Sequence, residues 1–126
     1  MINYDKRVDP AAPFLQITVA NRIHHRKHVT LPALLDTGSD FTAIPSNLVN
    51  ILQIYPTGRI NIEDVKLQTI PVFIYTVRLT VADLIVPEIK VIVTEIEHAI
   101  IGRDLLNRFY LHLHGPEQQF ALSTTP

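Results

Sequence analysis

Residues 34 to 45 read Leu34-Leu35-Asp36-Thr37-Gly38-Ser39-Asp40-Phe41-Thr42-Ala43-Ile44-Pro45, and the placement of charge in this stretch decides how the rest of the chain is read. An acidic side chain follows two leucines and precedes a Thr-Gly-Ser turn. The apolar residues on either side, Ala33 to Leu35 before and Phe41, Ala43 and Ile44 after, place that turn inside the domain. An ionised carboxylate in such a place is costly unless hydrogen bonds or opposite charge supply it. As a bare triplet, Asp-Thr-Gly is also what an ordinary turn uses, with the Asp or Thr side chain bonding nearby amides. The setting separates the two readings, because a loop that dips into a core must find partners for its backbone polar groups.

Outward from this stretch, composition narrows the classes. At 126 residues, the chain is read as one domain, 1–126, with its core over about 14–122. It is 47% hydrophobic with a formal net charge of −1. Apart from His24-His25-Arg26-Lys27-His28, its basic residues are scattered, unlike the broad basic face of a nucleic-acid binder. There is no cysteine, which excludes disulfides, thiolate metal sites and a cysteine nucleophile. The first residues carry charges and prolines where a signal peptide would be apolar. No apolar run approaches the ~20 residues of a membrane helix. The expectation is a soluble, cytoplasmic protein without a nucleic-acid or membrane partner.

Period-two alternation recurs at short intervals, the pattern of an all-β domain. Strands are predicted over Phe14 to Ala20 and His28 to Leu35, then a short extended piece over Phe41 to Pro45. Ser46 is expected to cap a turn or two of helix ending at Leu52. Phe73, Tyr75, Val77, Leu79 and Val81 alternate, as do Ile89, Val91 and Val93, and Pro87 is expected between strands, where its missing N–H costs least. Asp104 to Tyr110 is the main helix candidate, with Leu105, Leu106 and Phe109 on one face. Leu111 to Leu122 reads as a hairpin turning at Gly115-Pro116.

Sixty-four residues after Gly38 comes Gly102, in the segment Ile100-Ile101-Gly102-Arg103-Asp104. Again an apolar run meets a glycine and then a charged pair. With both elements, in this order and in a β-rich chain of this length, the sequence resembles the retropepsin family, the retroviral-type aspartic proteases and their cellular relatives. The resemblance implies a single-lobe, closed acid-protease barrel with one short C-terminal helix, working as a two-fold homodimer. It implies hydrolysis of peptide bonds by a water held between two carboxylates that share one proton. The chain has one Asp-Thr-Gly, so the second carboxylate must be Asp36 of another copy. No cofactor or metal is required.

By the same resemblance, Asp36, Thr37 and Gly38 are catalytic, with Thr37 also cross-linking the two loops at the dimer interface. Ser39 would donate to the outer oxygen of Asp36, giving an acidic optimum that rises in Ser39→Ala. Asp40 and Arg103 would form an ion pair tying the loop to the helix start. Leu111, Leu113, Phe120 and Leu122 would lie at the two-fold interface. A flap over about Ile60 to Val72 would cover an extended peptide, with its tip near Glu63, Asp64 and Val65; a tip at Pro56-Thr57-Gly58 is the alternative. Ser39, Ala43, Ile44, Ile101, Glu63, Asp64, Val65 and Leu67 are the residues expected at the substrate. The flap lacks the glycine-rich tip of viral members, which leaves a second reading open: a retropepsin-fold dimerisation or peptide-binding module without chemistry. A two-carboxylate glycosidase fits poorly, since only 7% of residues are aromatic. His112 and His114 share a strand face without a third ligand, Glu95 and Glu97 share another, and the His24–His28 group reads as a solvated edge or a contact for an anionic partner.

Overall fold

The computed structural model describes residues 1–126. In chain order the elements are β1 (Ile2–Asn3), β2 (Phe14–Ala20), β3 (His28–Leu35), β4 (Ala43–Pro45), α1 (Leu48–Leu52), β5 (Pro56–Glu63), β6 (Thr69–Val81), β7 (Leu84–Thr94), β8 (Ala99–Ile101), α2 (Arg103–Leu106), β9 (Tyr110–His114) and β10 (Gln119–Ser123). Six strands run in the order β2-β3-β8-β4-β7-β6, and pairing of β2 with β6 from Ile17↔Val81 to Ala20↔Arg78 closes them into a barrel. Closure leaves these strands no free edge. The alternating residues fill the interior: Ile17 and Val19 from β2, Leu31, Ala33 and Leu35 from β3, and Val77, Leu79 and Val81 from β6 are all buried. This is the all-β domain expected from the alternation, closed into the barrel that the resemblance implies.

β6 is longer than the barrel needs. Its first half, Thr69 to Ile74, pairs only with β5, so the β5–β6 hairpin projects beyond the barrel wall. Phe73, which continues the alternation, therefore lies on the projecting part and is exposed, with the Arg59 guanidinium 5.4 Å above its ring.

Several local expectations are corrected by tertiary pairing. Pro87 lies within β7 rather than between strands. Leu79 faces Val86 and Val77 faces Ile89, so Pro87 and Glu88 together oppose Arg78 in a β-bulge, where a missing N–H is tolerated. Ser46 does not cap α1. The N-cap is Asn47, without a side-chain bond, and Ser46 Oγ donates instead to Glu95 Oε2 at 3.2 Å. The second helix ends at Leu106, not Tyr110. Arg108 N and Phe109 N donate to the carbonyls of Leu105 and Leu106, each at 3.0 Å, a tighter winding that turns the chain into β9. Leu105 and Leu106 are nonetheless buried, and Phe109 packs partly on the same core.

The C-terminal hairpin forms as expected, with its turn over Gly115 to Gln118. An unforeseen partner is β1, which pairs with β10 to give the sheet β1-β10-β9. Tyr4 N donates to Gln118 O at 2.8 Å and the Tyr4 ring packs on Phe120, with centroids 6.1 Å apart. Phe120 is thereby fully buried within the chain and is not a surface residue available for an interface. Leu111 and Leu122, cross-strand partners, are half-buried against the core, and Leu113 is exposed. In the same segment Arg7 hydrogen-bonds the Asp5 carboxylate and holds its pKa down at about 2, so this clasp stays charged through the mildly acidic range.

Asn21 ties the barrel to α1. Its buried side chain donates to Leu52 O at 3.0 Å and accepts the N–H groups of Ile23 and His24, each at 3.0 Å. Asn21→Leu strands two amides and a carbonyl at this junction, and is expected to lower unfolding stability by about 2–3 kcal/mol. Urea denaturation of the two proteins measures it.

Candidate active site

The two sequence motifs meet because their strands are neighbours. β3 and β8 lie parallel, with Leu35 opposite Ile101, so the residues after each strand leave the same end of the barrel side by side. Asp36 N donates to Ile101 O at 2.9 Å. Gly102 then passes so close to the Asp36 loop that a Cβ on it would lie 2.6 Å from both C and O of Phe41. Three consecutive residues fasten the loop. Gly102 N donates to Thr42 Oγ1 at 3.3 Å. Arg103 N donates to Ser39 O at 2.8 Å, Arg103 Nη1 to Thr37 O at 2.7 Å, and Arg103 Nη2 to Asp40 Oδ1. Asp104 accepts Thr42 N at 3.0 Å and the Thr42 hydroxyl at 2.7 Å. Thr42 is fully buried, and no buried side-chain polar atom in the molecule is unpaired.

These bonds, rather than burial, satisfy the loop. Asp36 is half-buried and Thr37 and Gly38 are exposed, so the expectation of a turn inside the domain is corrected: the flanking apolar residues belong to the strands beneath it. Asp36 Oδ1 accepts Gly38 N at 2.9 Å. Ser39 Oγ turns away from Asp36 and donates to Phe41 O at 2.8 Å, which removes the structural basis for a Ser39→Ala shift of the pH optimum. Ala43, Ile44 and Ile101, expected at the substrate, are sealed in the barrel and support the loop from below.

The flap candidate is the β5–β6 hairpin. Its tip spans Asp64 to Gln68, and Pro56-Thr57-Gly58 begins β5 instead, which excludes the alternative tip. The tip does without glycine in two ways. Leu67 takes the left-handed conformation at φ 60°. Asp64 Oδ1 accepts Lys66 N at 2.8 Å and Gln68 N at 2.9 Å, while Asp64 N donates to Gln68 O at 2.9 Å. Val65 and Leu67 point into solvent. Asp64→Ala is expected to speed amide exchange at Lys66 and Gln68 at least about tenfold, with β7 amides unchanged; hydrogen-exchange NMR reads both.

Between the Asp36 loop and the β5–β6 hairpin lies an open cleft of about 560 Å³ lined by Gly38, Ser39, Asp40 and Phe41 on one side, Asn61, Ile62 and Glu63 on the other, and Ile92. A smaller, mostly apolar recess of about 140 Å³ adjoins it and shares Phe41 and Ile92, adding Ile60, Ile74 and Lys90. Sequence reasoning missed Phe41, Asn61, Ile62 and Ile92 here. The signal for Ile60 and Ile62 was their alternation along β5, but nothing local said which face would meet the loop. Asp104 and Thr42 were missed as a pair because 62 residues separate them.

The architecture has counterparts among solved structures. A retropepsin-like aspartic protease from Rickettsia conorii aligns with a TM-score of 0.64 at 14% identity, over 96% of this chain and 86% of the other. The protease of simian foamy virus aligns at 0.58 and 16%, over 75% and 92%. EIAV protease, complexed with the inhibitor HBY-793, aligns at 0.56 and 22%, over 76% and 86%. Comparison of the sequence with protein-family models gives no match, and neither does comparison with curated proteins. The fold is therefore retropepsin-like.

Proposed function

We propose that this retropepsin-like chain is an aspartic endopeptidase whose catalytic pair is Asp36 from each of two copies related by a two-fold axis. The observation that carries the proposal is the distribution of carboxylates around the loop. Asp40 is engaged by Arg103 and Asp104 by Thr42, so Asp36 is the one carboxylate of the three that no side chain holds, with only the Gly38 amide on its Oδ1. A water between two aspartates needs a second one, and a copy of the same loop supplies it. The exposed Thr37 and Gly38 are the surface on which two loops would meet.

Two carboxylates brought together share one proton. The ionised one takes a proton from the water, and the protonated one donates to the scissile carbonyl as the tetrahedral oxyanion forms. In this chain Gly38 N–H steadies Asp36 Oδ1, and Arg103 holds the carbonyl of Thr37 and the carboxylate of Asp40. The substrate would be an extended peptide lying in the cleft under the flap, its apolar side chains in the recess beside Phe41. The Asp64 hydrogen bonds that close the β5–β6 tip without a glycine support this reading over a binding module without chemistry.

The test is digestion of a diverse peptide mixture by the wild type and by Asp36→Ala, from about pH 3 to about pH 8, read by mass spectrometry beside a sedimentation measurement of the dimer. Cleavage by the wild type alone, blocked by the tetrahedral-intermediate mimic pepstatin, is the expected result. A dimeric wild type that cleaves nothing overturns the proposal.

A further inference from the structure

The basic turn between β2 and β3 is not used by the proposed chemistry. Residues 21 to 28, Asn-Arg-Ile-His-His-Arg-Lys-His, contain three of the eleven Lys and Arg residues and no acid, in a chain of net charge −1. The turn forms one wall of a groove; the other wall is the link from α1 into β5. The groove is lined among others by Arg22, Ile23, Tyr55, Pro56, Thr57 and Thr76 and has a volume of about 170 Å³.

Three features set this groove apart from ordinary surface. First, two large apolar side chains stand on its rim, Ile23 at 68% and Tyr55 at 80% exposure. Single exposed apolar residues are common; here two flank one concavity and offer apolar surface to a side chain that enters it. Second, the rim is held in shape: Asn21 Oδ1 binds the amides of both Ile23 and His24, so Ile23 cannot fold back onto the core. Lys27 Nζ donates to Gln53 Oε1, bracing the two walls together. Third, the charge is one-sided. Arg22 is paired with Glu88 at 3.1 Å, Arg78 donates to His25 Nδ1 at 2.7 Å, and Arg26, Lys27 and Arg78 have no acidic partner.

We propose that this groove docks an acidic segment of another protein, anchored by one aromatic side chain. The volume is close to the roughly 150 Å³ that holds a benzene-sized ring. The hydroxyls of Thr57 and Thr76, 2.9 Å apart at the groove, offer partners to a phenol. Carboxylates flanking the anchor would meet Arg26, Lys27 and Arg78. The segment would lie against Pro56 and Thr57, where β5 starts and its register with β6 shifts, and so beside the base of the flap hairpin. The reading does not depend on the peptidase proposal.

The probe is a random copolymer of glutamate and tyrosine, titrated into the full chain and followed by amide NMR, with polyglutamate, phosphatidylserine vesicles and single-stranded DNA as comparisons. The copolymer is expected to shift the amides of Ile23, Tyr55 and Thr57 and to bind at least about tenfold more tightly than polyglutamate. Ile23→Ser and Arg26→Glu, both at exposed positions, should each weaken it at least about fivefold. Equal affinity for polyglutamate, binding indifferent to both substitutions, or tighter binding to the vesicles or to DNA would each overturn the assignment.

Discussion

Asp36→Asn is expected to fold and to dimerise like the wild type, while hydrolysing peptides about 10³–10⁴-fold more slowly. The substitution is nearly isosteric. The amide oxygen can still accept the Gly38 N–H that Asp36 Oδ1 accepts at 2.9 Å, and the Ile101, Ser39 and Thr37 anchors are backbone atoms that do not change. What changes is the chemistry at the tip, because an amide nitrogen cannot take a proton from water. A mixing experiment tests the shared site more sharply than loss of activity alone. When equal amounts of wild-type and Asp36→Asn chains are unfolded and refolded together, random pairing leaves about a quarter of dimers with two aspartates. Peptidase activity per wild-type chain should then fall to about half. Activity that simply tracks the amount of wild-type chain would mean that each subunit works alone, and the two-copy dyad would be wrong.

Gly102→Ala should instead damage the fold. Its backbone, at φ −89°, is open to any residue, so glycine is needed here for space and not for conformation. An added Cβ would sit 2.6 Å from C and O of Phe41 and 3.0 Å from its N. These are backbone atoms at the end of a fastened loop and cannot swing aside as a flexible side chain would. Relief requires the start of α2 to move off the Asp36 loop. That movement stretches the bonds from Gly102 to Thr42, from Arg103 to Ser39 and from Asp104 to Thr42. Overpacking of this kind costs about 1–3 kcal/mol and each weakened bond about 1 kcal/mol. A loss of about 3 kcal/mol, or about 10 °C in melting temperature, is the expected outcome. Gly115, around which an added Cβ meets nothing within 4 Å, is the control: Gly115→Ala should melt within about 2 °C of the wild type. If Gly102→Ala does the same, the close approach is not a constraint on the fold.

The two variants separate what the site needs. One removes the proposed proton acceptor and leaves the scaffold; the other disturbs the scaffold that presents it. The Asp104–Thr42 pair belongs with the second, since it adds nothing to the cleft but holds the loop's far end to α2.

Much of the fold was legible because strand patterning is local. Side chains alternate with period two whatever the strand pairs with, so β2 and β3 could be bounded from Phe14–Ala20 and His28–Leu35 alone. Asp36 and Gly102 stood out for the same reason, each a polar break at the end of an apolar run. Errors arose wherever more than one partner, near or distant in the chain, competes for one group. The Ser39 hydroxyl had a plausible acceptor in Asp36 but found Phe41 O, and Ser46 found Glu95 instead of a helix terminus. Phe120 was expected at a two-fold interface, but β1 and Tyr4 cover it.

By itself, then, the sequence determined that this chain would be an all-β domain with an acidic turn after one strand and a glycine-led turn after another. Both are statements about neighbours within a few residues, where sterics and alternation leave few choices. Only the tertiary structure decided that β3 and β8 lie parallel and adjacent, that Gly102 touches Phe41, and that Arg103 and Asp104 fasten the loop at Thr37, Asp40 and Thr42. Those contacts join residues some sixty apart in the chain, and they follow from barrel closure, which fixes every strand's register against two partners at once.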